Sequence, residues 1–559
     1  MRLSQRASGV LERIRRLRRS MLGGLQSFLP LYLFGNNEPG AWYDADDLTD
    51  AKLAYRRNLL TWTENLAKSN AIWEHDGTLA VTANYSVAPD GTTTATRVNY
   101  TSGTPCYIFQ DVPSKARTTY TLSFYIKAAI PQSCRLNLQQ MGEGNNFSTV
   151  NATTDWVRYT VSGTTIAAVT LRCTITSLSD NSLFDVQVWG AMLALSTVDQ
   201  TYQKVTDWNT EFLAAFPSHA LYQDSAGTLA VKTLEDPLGK VLDKSGRGNH
   251  LIQPTSGNRP TWTRRVNILN ATATLSTQTA TTIAAQYKLS FTGAGSIALS
   301  GTATGTITAG TTLVTCTAGT LTLTVTGAVT LADMRLSSDV ATPTYQAVRS
   351  ATDYDYVGFP SKIKHNGTNS FLYTASTMNL SATDKVTVFA GVQKLGSTQQ
   401  FIAEIGPATE SNNGSFAVYA DDRASKTYAF WTRGTTGIFP FTGSYTPPIT
   451  NVYSAQSSIS TPSVKIRING VQDGTSTASQ GTGNYGNYVM TVGARTGPVF
   501  PFSGSWTQLI IRGALTSDAQ VAQAETYVRN KTLAYPYYGY YGYPGQIGID
   551  WTVGVSTLS

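Results

Sequence analysis

Strict alternation of apolar and polar side chains recurs along this chain and restricts what it can fold into. Residues 320–326 read TLTLTVT, and residues 121–127 (TLSFYIK) and 157–161 (VRYTV) place every second, apolar side chain on one face. Residues 464–470 (VKIRING) alternate likewise and end in Asn-Gly, a strong signal for a hairpin turn. A period of two residues is that of a β-strand with one buried face. We therefore predict an all-β chain with a multi-domain jelly-roll and β-sandwich architecture.

Charged side chains are too scarce for long exposed helices. They make up 14% of the 559 residues, against ~25% in an average soluble protein. Only two segments have a helical pattern: residues 8–22, and residues 517–531, where Ser517 and Asp518 are typical N-capping residues. Aromatic residues reach 10%, which argues against disorder. The length predicts about three or four domains of ~150 residues each.

The positive charge is concentrated at the N-terminus. Residues 1–19 carry seven arginines and one glutamate, which is +6 of the formal net charge of +7. The rest of the chain is nearly neutral, so no nucleic-acid partner is predicted. The apolar stretch 21–34 is interrupted by polar residues and is shorter than the ~20 residues that cross a bilayer. We predict a retained helical arm, residues 1–35, without membrane insertion. It either anchors the chain in a larger assembly or is a solvated tail, and the anchoring residues would be Arg13, Arg15, Arg16, Arg18 and Arg19.

One pattern of residues occurs twice, at the edges of two segments. Residues 57–66 (RNLLTWTENL) and 265–275 (RVNILNATATL) open the segments, and each segment closes with Leu-Ser and then Thr-Tyr-Gln-x-Val. Related edges indicate two inserted modules whose ends lie side by side, residues 57–206 and 265–349. Chance similarity between threonine-rich strands is the alternative. The second module has no charged residue from Leu289 to Ala332, which favours a small immunoglobulin-like β-sandwich used as a spacer or a packing surface.

Three motifs carry a resemblance to a known domain type. They are the turn DKSGRGNH at 243–250, the strand entry HNGTNSFL at 365–372 and the ending FSGSWTQLIIRGALTSDAQ from residue 502. Together they resemble a laminin-G-like, concanavalin A-type jelly roll. The segments GAWYD at 40–44 and LYQDSAGT at 221–228 add a similarity to structural proteins of tailed bacteriophages.

The first inserted module resembles the carbohydrate-binding-type jelly rolls of phage tail proteins. The resemblance rests on five segments: NLLTWTEN from residue 58, AIW from 71, APDGTTTA from 88, TLSFYIK from 121 and VQVWGA from 186. The resemblances imply one laminin-G-like domain that holds both modules. This domain would consist of residues 36–56, 207–264 and 350–534, followed by a Tyr/Gly-rich segment at 535–559.

No pattern of catalytic residues is found. A glucanase on this type of fold needs carboxylates at Glu-x-Asp-x-x-Glu spacing, and the chain lacks that string. The four histidines have no metal-ligand spacing, and His250 is expected to hold a turn together. We predict neither enzymatic activity nor a cofactor. Jelly rolls of this type often bind calcium through loop carboxylates, so calcium is an alternative at Asp421-Asp422 or at Asp44, Asp46 and Asp47.

The four cysteines, Cys106, Cys134, Cys173 and Cys316, form no zinc motif. We expect buried, reduced thiols, with one disulfide among the first three as the alternative.

Aromatic residues provide the remaining route to a ligand, because sugar rings stack on exposed tryptophan or tyrosine. The tryptophans of the first module are expected mainly in its core, and Tyr107 and Phe109 are either core or platform. These tryptophans are Trp62, Trp73, Trp156 and Trp189. Residues 535–543 (YPYYGYYGY) suit an interface, since tyrosine combines a large apolar ring with a hydroxyl. We predict subunit contacts there through Tyr535, Tyr537, Tyr538, Tyr540, Tyr541 and Tyr543.

Taken together, the motifs and resemblances predict a structural protein of a bacteriophage virion. The first expectation is a tail fibre or tail-associated appendage that docks by its arm and presents lectin-like domains to host-surface glycans. A head fibre or capsid-decorating protein is the first alternative, and a glycan depolymerase on a lectin-like fold is the second. The expected partners are other virion proteins, further copies of this chain in a homotrimer, and a host glycan. No glycan-contact residue is predicted.

Overall fold

Antiparallel strands are the main secondary structure of the described residues, as seen in a computed structural model. The predicted all-β sandwich architecture is confirmed. The arginines of the arm and the six C-terminal tyrosines lie outside the described residues. The structure describes residues 28–533 except for 56, 68–71, 77–78, 102–106, 115–117, 141–144, 168–169, 179–181, 340–342, 407–411, 423–425 and 496.

The elements before the second module follow in chain order. The chain begins with a 3₁₀ turn (Pro30–Leu33), β1 (Gly40–Asp44) and α1 (Asp50–Ala54). The first module contains β2 (Glu74–Asp76), β3 (Leu79–Ser86), β4 (Ala95–Tyr100), β5 (Tyr107–Pro113), β6 (Thr119–Lys127), β7 (Gln132–Gln140), β8 (Asn145–Ala152), β9 (Val157–Thr164), β10 (Thr170–Thr176) and β11 (Phe184–Ala194). After it come α2 (Trp208–Ala215), β12 (Leu221–Tyr222), β13 (Lys240–Val241), β14 (Leu251–Ile252), a 3₁₀ turn (Ser256–Asn258) and β15 (Thr261–Thr263).

The second module contains β16 (Gln278–Thr282), β17 (Ala285–Gly301), β18 (Gly305–Cys316), β19 (Gly319–Thr326) and β20 (Thr330–Leu336). The remaining elements are β21 (Val348–Ser350), β22 (Asp353–Tyr354), β23 (Lys362–Asn366), β24 (Leu372–Thr374), β25 (Met378–Asn379), β26 (Lys385–Lys394), β27 (Gln400–Ile405), β28 (Phe416–Asp421), β29 (Thr427–Arg433), β30 (Gly437–Ile438), β31 (Phe441–Ser444), β32 (Ile449–Ser458), β33 (Ser463–Ile468), β34 (Val471–Ser476), β35 (Asn487–Tyr488), β36 (Met490–Val492), β37 (Ser503–Arg512) and α3 (Asp518–Thr532).

The main body is a sandwich of two large sheets built from distant parts of the chain. One sheet has eight strands in the order β15-β23-β37-β26-β32-β33-β34, with β1 also paired to β37. The other has ten strands in the order β12-β13-β14-β24-β36-β27-β28-β29-β30, with β31 also paired to β29. Between them lies one apolar core that includes Trp262, Trp506 and Tyr453, all fully buried.

The turn at 243–250 fastens the first strand to this body. Asp243 accepts hydrogen bonds from the amides of Trp42 (3.0 Å), Ser245 (2.8 Å) and Asn249 (3.1 Å). The amide of Asp243 itself donates to His250 Nδ1 at 3.0 Å. His250 is thus the turn residue that the sequence predicts, and the motif holds strand β1 in place.

The two modules differ in construction. The first has two five-stranded sheets, β2-β5-β10-β7-β8 and β3-β4-β11-β6-β9, packed around their own core. The second is one five-stranded sheet built on the long strand β17. That strand pairs with β18 along its length, with β20 in its first half and with β19 in its second half.

Both modules are closed by the same hydrogen-bond arrangement, which we call the clasp. In the first module, Asn58 Nδ2 donates to the carbonyls of Ala191 and Gln203, both at 2.9 Å. Asn58 Oδ1 accepts from the amides of Leu60 (3.1 Å) and Leu193 (3.0 Å). All four hydrogen-bonding positions of this fully buried side chain are therefore occupied.

Asn267 repeats these bonds in the second module. Its Nδ2 donates to the carbonyls of Ala332 and Gln346, both at 3.0 Å. Its Oδ1 accepts from the amides of Leu269 (3.2 Å) and Met334 (2.9 Å). Because each clasp joins the segment that enters a module to the segments that leave it, it brings the ends of the module together.

A threonine–tyrosine pair completes each clasp. Thr63 Oγ1 lies 2.8 Å from Tyr202 Oη, and Thr272 Oγ1 lies 3.1 Å from Tyr345 Oη. The residue before each threonine has a positive φ, 51° in the first module and 49° in the second. The repeated residue pattern thus corresponds to a repeated backbone conformation.

Other predictions are settled by local structure. The helix expected at 517–531 is confirmed as α3, with Ser517 as the N-cap. The Asn469-Gly470 turn joins β33 to β34 with φ values of 53° and 83°. The helices α1 and α2 were not expected. Within the described ranges, no helix has the length and apolar character needed to cross a membrane.

The cysteine prediction is confirmed for three residues. Cys134, Cys173 and Cys316 are free and buried, so the alternative of one disulfide among Cys106, Cys134 and Cys173 is wrong, since any such pair needs Cys134 or Cys173. Burial raises the pKa of the Cys134 thiol to about 12. Cys106 lies outside the described residues.

Candidate functional site, an aromatic groove on the ten-stranded sheet

One row of side chains crosses the outer face of the ten-stranded sheet. Tyr373 on β24 pairs with Thr491 on β36, which pairs with Glu404 on β27. Glu404 pairs with Ala417 on β28, which pairs with Trp431 on β29. Residues paired directly across antiparallel strands share a face. Their chain neighbours on the other face belong to the apolar core, so this row points away from it.

At one end of this row lies a cavity of about 480 Å³, which we call the aromatic groove. The rings of Phe371 and Tyr373 are stacked along it, with centroids 6.0 Å apart and planes at 27°. Tyr488 is held in place because its hydroxyl donates to the carbonyl of Asn413 at 2.8 Å. All three rings are half-buried. The groove is lined by Phe371, Tyr373, Thr377, Asn487, Tyr488, Val489, Thr491 and Gly497.

Polar groups at the rim of the groove are available to a ligand. The Asn487 and Thr377 side chains are exposed. Among the described residues, neither these two side chains nor the Tyr373 hydroxyl has a hydrogen-bond partner. An amide group supplies both donors and an acceptor, and each hydroxyl supplies one donor. The groove therefore combines flat apolar walls with directional polar groups at its edge.

A buried ion pair separates the groove from a second aromatic cluster on the same face. Arg495 Nε lies 3.1 Å from Glu404 Oε1, and the Glu404 side chain is fully buried. The guanidinium of Arg495 lies 4.9 Å from the ring centroid of Phe401. Phe401 and Tyr419 are buried there, and Trp431, Phe439 and Phe500 pack against them half-buried. The ion pair thus lies between the aromatic groove and this second cluster.

The tryptophans considered from the sequence lie mostly in the core of the first module. Trp73 and Trp189 are buried, and the indole of Trp73 donates to the carbonyl of Thr61 at 3.1 Å. Trp62 packs against the same core while half-buried. Trp156 is half-buried and carries Lys127 Nζ at 4.7 Å from its ring. The structure brings none of these four tryptophans into the aromatic groove.

Phe109 is buried, whereas Tyr107 is half-buried. The guanidinium of Arg172 covers the ring of Phe109 at 3.8 Å. Neither ring lines the aromatic groove.

Four of the five acids considered as calcium ligands are paired with the chain's own cations. Asp44 Oδ2 lies 3.2 Å from Lys244 Nζ, Asp46 contacts Arg264, and Asp421 contacts Lys394. Asp47 accepts from Lys52 at 3.4 Å and from the amide of Ala220 at 2.8 Å. Burial alone would raise the pKa of Asp47, but the contact with His219 Nδ1 at 3.2 Å, the charge of Lys52 and the amide of Ala220 outweigh it and lower the pKa to about 2. Among the described residues, no group of three or more His, Cys, Asp and Glu side chains is arranged to hold a metal ion.

The groove residues were missed by the sequence analysis. The segment Ser370-Phe371-Leu372-Tyr373 carries only a weak signal: its two aromatic residues alternate with a core leucine, but the strand has only three residues. The second wall comes from β35, more than a hundred residues later in the chain, and pairing between β24 and β36 brings the two together.

Comparisons with known proteins identify no family for the chain. No family model matches it, and no curated protein matches it. Among solved structures, a native heptameric SAP-like pentraxin from Limulus polyphemus is 14% identical with a TM-score of 0.25, covering 29% of this chain and 79% of that one. The carbohydrate-binding module CBM40 of the Ruminococcus gnavus IT-sialidase, bound to α2,3-sialyllactose, is 14% identical with a TM-score of 0.22, covering 26% and 83%.

The enzymatically active domain of tailspike protein 4 from bacteriophage CBA120 is also similar. It is 13% identical with a TM-score of 0.21, and the likeness covers 25% of this chain and 21% of that one. All three TM-scores are low, and each likeness is confined to less than a third of this chain.

Proposed function

We propose that this chain is a structural protein of a bacteriophage virion, a tail fibre or tail-associated appendage, whose aromatic groove binds a glycan of the host surface. The observation that carries the proposal is the stacked pair Phe371 and Tyr373 facing Tyr488. Aromatic faces of this kind complement the apolar C–H faces of sugar rings. The volume of the groove lies within the ~300–1,000 Å³ of ligand sites.

The polar rim supplies the selectivity that such a site needs. Sugar hydroxyls donate and accept hydrogen bonds, and Asn487, Thr377 and the Tyr373 hydroxyl offer both functions. A site that combines a few directional polar groups with apolar walls orients its ligand as well as retaining it.

Binding is favoured over hydrolysis because the carboxylates near the described cavities are already neutralised. Glu404 is the strand partner of Thr491 in the groove but is paired with Arg495. In a separate polar cavity, Asp46 and Asp50 both bind the guanidinium of Arg264 at 3.0 Å. A glycosidase instead needs one carboxyl that stays protonated as the general acid. A depolymerase therefore has less support than a binding protein.

The assignment to the virion rests on the resemblance of the sequence motifs to tailed-phage structural proteins and on the basic arm. The arm docks the chain on other virion proteins, and the C-terminal tyrosines contact further copies in a homotrimer. Docking on the head, as a head fibre or decorating protein, is the alternative. The position of the chain on intact particles decides between the two.

Tyr373→Ala is expected to weaken glycan binding about tenfold or more, because it removes one face of the stacked wall. The measurement is titration of the purified full-length chain with surface polysaccharide from a susceptible host. Tyr488→Ala tests the opposite wall with the same expectation. Phe441→Ala is the matched control, since that ring is 61% exposed on β31 and does not line the groove. If both groove variants bind the polysaccharide as tightly as the wild type, the proposal is wrong.

Deletion of residues 1–27 is expected to leave a folded body that no longer joins particles. The cut spares Leu33, which is buried against Trp42 and α3, so the thermal unfolding midpoint should stay within about 2 °C of the full-length value. Particles assembled with the truncated chain are analysed for its copy number. Normal occupancy would show that the arm is not the anchor.

A further inference from the structure

Lys394 and Asp421 form a pair that is sealed inside the main body. Lys394 is the last residue of β26 and Asp421 is the last residue of β28. Both side chains are 0% exposed, and Lys394 Nζ lies 3.4 Å from Asp421 Oδ2. Since β26 belongs to the eight-stranded sheet and β28 to the ten-stranded sheet, the pair joins the two layers of the sandwich.

The surroundings hold the amine against the carboxyl group. Lys394 Nζ donates to the carbonyl of Lys426 at 3.0 Å, and the amide of Lys426 donates to Asp421 Oδ1 at 3.0 Å. The ring of Tyr428 lies 4.8 Å from Nζ and covers it from one side. Both reacting groups are therefore oriented by one short backbone segment and shielded by an aromatic ring.

Burial changes the protonation chemistry of the pair. Removal from water lowers the pKa of the Lys394 amine and raises the pKa of the Asp421 carboxyl, and the neighbouring Asp422 raises the latter further. Each shift favours the neutral form. The buried pair can thus reach the state with one free amine and one carboxylic acid without external acid or base. An exposed ion pair in water would remain charged.

We propose that Lys394 and Asp421 are joined by an intramolecular isopeptide bond that forms after folding. Within the pair, the ammonium first transfers one proton to the carboxylate. The Nζ lone pair then attacks Cγ of Asp421, and a C–N bond forms as the carbonyl π bond opens. The tetrahedral intermediate passes a proton from nitrogen to the former acid oxygen, the C–O bond breaks, and one water leaves. The balance is one ammonium and one carboxylate giving one amide and one water, without change in oxidation state.

Proximity favours this condensation in the folded chain and not in the unfolded one. Reacting atoms held about 3–3.5 Å apart and excluded from water react at effective concentrations far above those of free groups. In the unfolded chain the two residues are separated by 26 others, so the bond requires the sandwich to form first. Once made, it links the two sheets covalently at the ends of strands β26 and β28.

The test is the intact mass of the purified full-length chain. The proposal expects a mass lower than that of the sequence by one water molecule. Trypsin does not cleave after an amidated lysine, so Lys394 should be skipped and a peptide of residues 386–423, also lacking one water, should appear. Cleavage of this peptide after Glu404 and Glu410 should then leave residues 386–404 and 411–423 joined. A wild-type chain of full sequence mass, with ordinary cleavage after Lys394, overturns the proposal.

Two variants locate the bond. Lys394→Arg keeps the positive charge but cannot form the amide, so it should restore the full sequence mass. Lys385→Arg is the matched control: Lys385 lies 2.9 Å from Asp384 in a partly exposed pair at the other end of β26, and this variant should still lack one water. A water deficit that persists in Lys394→Arg would place the modification elsewhere and reject the assignment.

Discussion

Asn267→Ala is expected to open the second module while leaving the first one closed. The substitution removes two donors and two acceptors from a fully buried site, and four backbone groups lose their partners. Each unsatisfied buried group costs ~1–3 kcal/mol, and relaxation recovers part of the sum. We expect a loss of about 3–5 kcal/mol in the free energy of opening of that module.

Buried thiols report this opening module by module. Cys316 lies in the second module, and Cys134 and Cys173 lie in the first, all of them buried and free. A thiol reagent reaches each cysteine only when its module opens, so the labelling rate follows the opening equilibrium. A loss of 3 kcal/mol corresponds to about a hundredfold faster labelling of Cys316. Asn58→Ala should instead accelerate Cys134 and Cys173 and leave Cys316 unchanged.

Asn270→Ala is the matched control for the clasp. Asn270 is exposed in the second module, where its side chain accepts one bond from Arg265 at 2.9 Å. Its replacement should change Cys316 labelling less than about threefold, since exposed substitutions usually lie within ~0.5 kcal/mol. Equal labelling rates in the Asn267 and Asn270 variants would show that the clasp does not hold the module closed.

The clasp also shows what sequence reasoning reaches and where it stops. The repeated Asn, Thr and Tyr-Gln positions were recognised as the edges of two modules, because the same residue types occur twice in the same order along the sequence. Their chemistry was not recognised. That Asn267 bonds to residues 65 and 79 positions later depends on tertiary contacts that no local pattern encodes.

Local patterns predicted where strands occur, but they did not predict where each strand lies within its sheet. Val157 alternates with Tyr159 and Val161 and was expected to point inward, but it is 38% exposed. Its strand, β9, is an edge strand of the first module, where the face of the sheet is incompletely covered. The position of a strand within a sheet is set by pairing order, which alternation does not reveal.

The aromatic groove was missed for a related reason. Phe371 and Tyr373 lie in a short segment that contains core residues as well, and Tyr488 belongs to a two-residue strand. Short strands give too few residues for a periodic signal. The tryptophans attracted attention because of their size, yet size favours burial, and Trp73 and Trp189 are buried accordingly.

Acid is expected to destabilise the main body through His365. The imidazole is 2% exposed and bridges two parts of the core. The indole of Trp506 donates to His365 Nε2 at 3.0 Å, so Nε2 is the acceptor and the proton lies on Nδ1, which donates to the carbonyl of Ser370 at 3.0 Å. The site has no room for rearrangement, since a Cβ at Gly493 would lie 2.1 Å from the ring. This geometry holds the histidine in its neutral form.

Burial lowers the pKa of His365 to about 4, whereas an unfolded histidine titrates near ~6.5. Between these two pH values the unfolded chain binds a proton that the folded chain does not. The free energy of unfolding therefore falls as the pH is lowered from about 6.5 towards 4, by about 3 kcal/mol in total, and is unaffected by this group above pH ~7. Hydrogen–deuterium exchange of peptides from β23 and β37, corrected for the intrinsic rate at each pH, measures the loss.

His365→Gln isolates this effect from the titration of other groups. Glutamine retains an acceptor for Trp506 and a donor for Ser370 but takes up no proton in this range. Protection of β23 and β37 in the variant should start lower than in the wild type at pH 7 and decline less between pH 6.5 and 4.5. His75→Gln, at an exposed position of the first module, should follow the wild-type curve. If His365→Gln and the wild type lose protection in parallel as the pH falls, protonation of the imidazole is not the cause of the acid destabilisation.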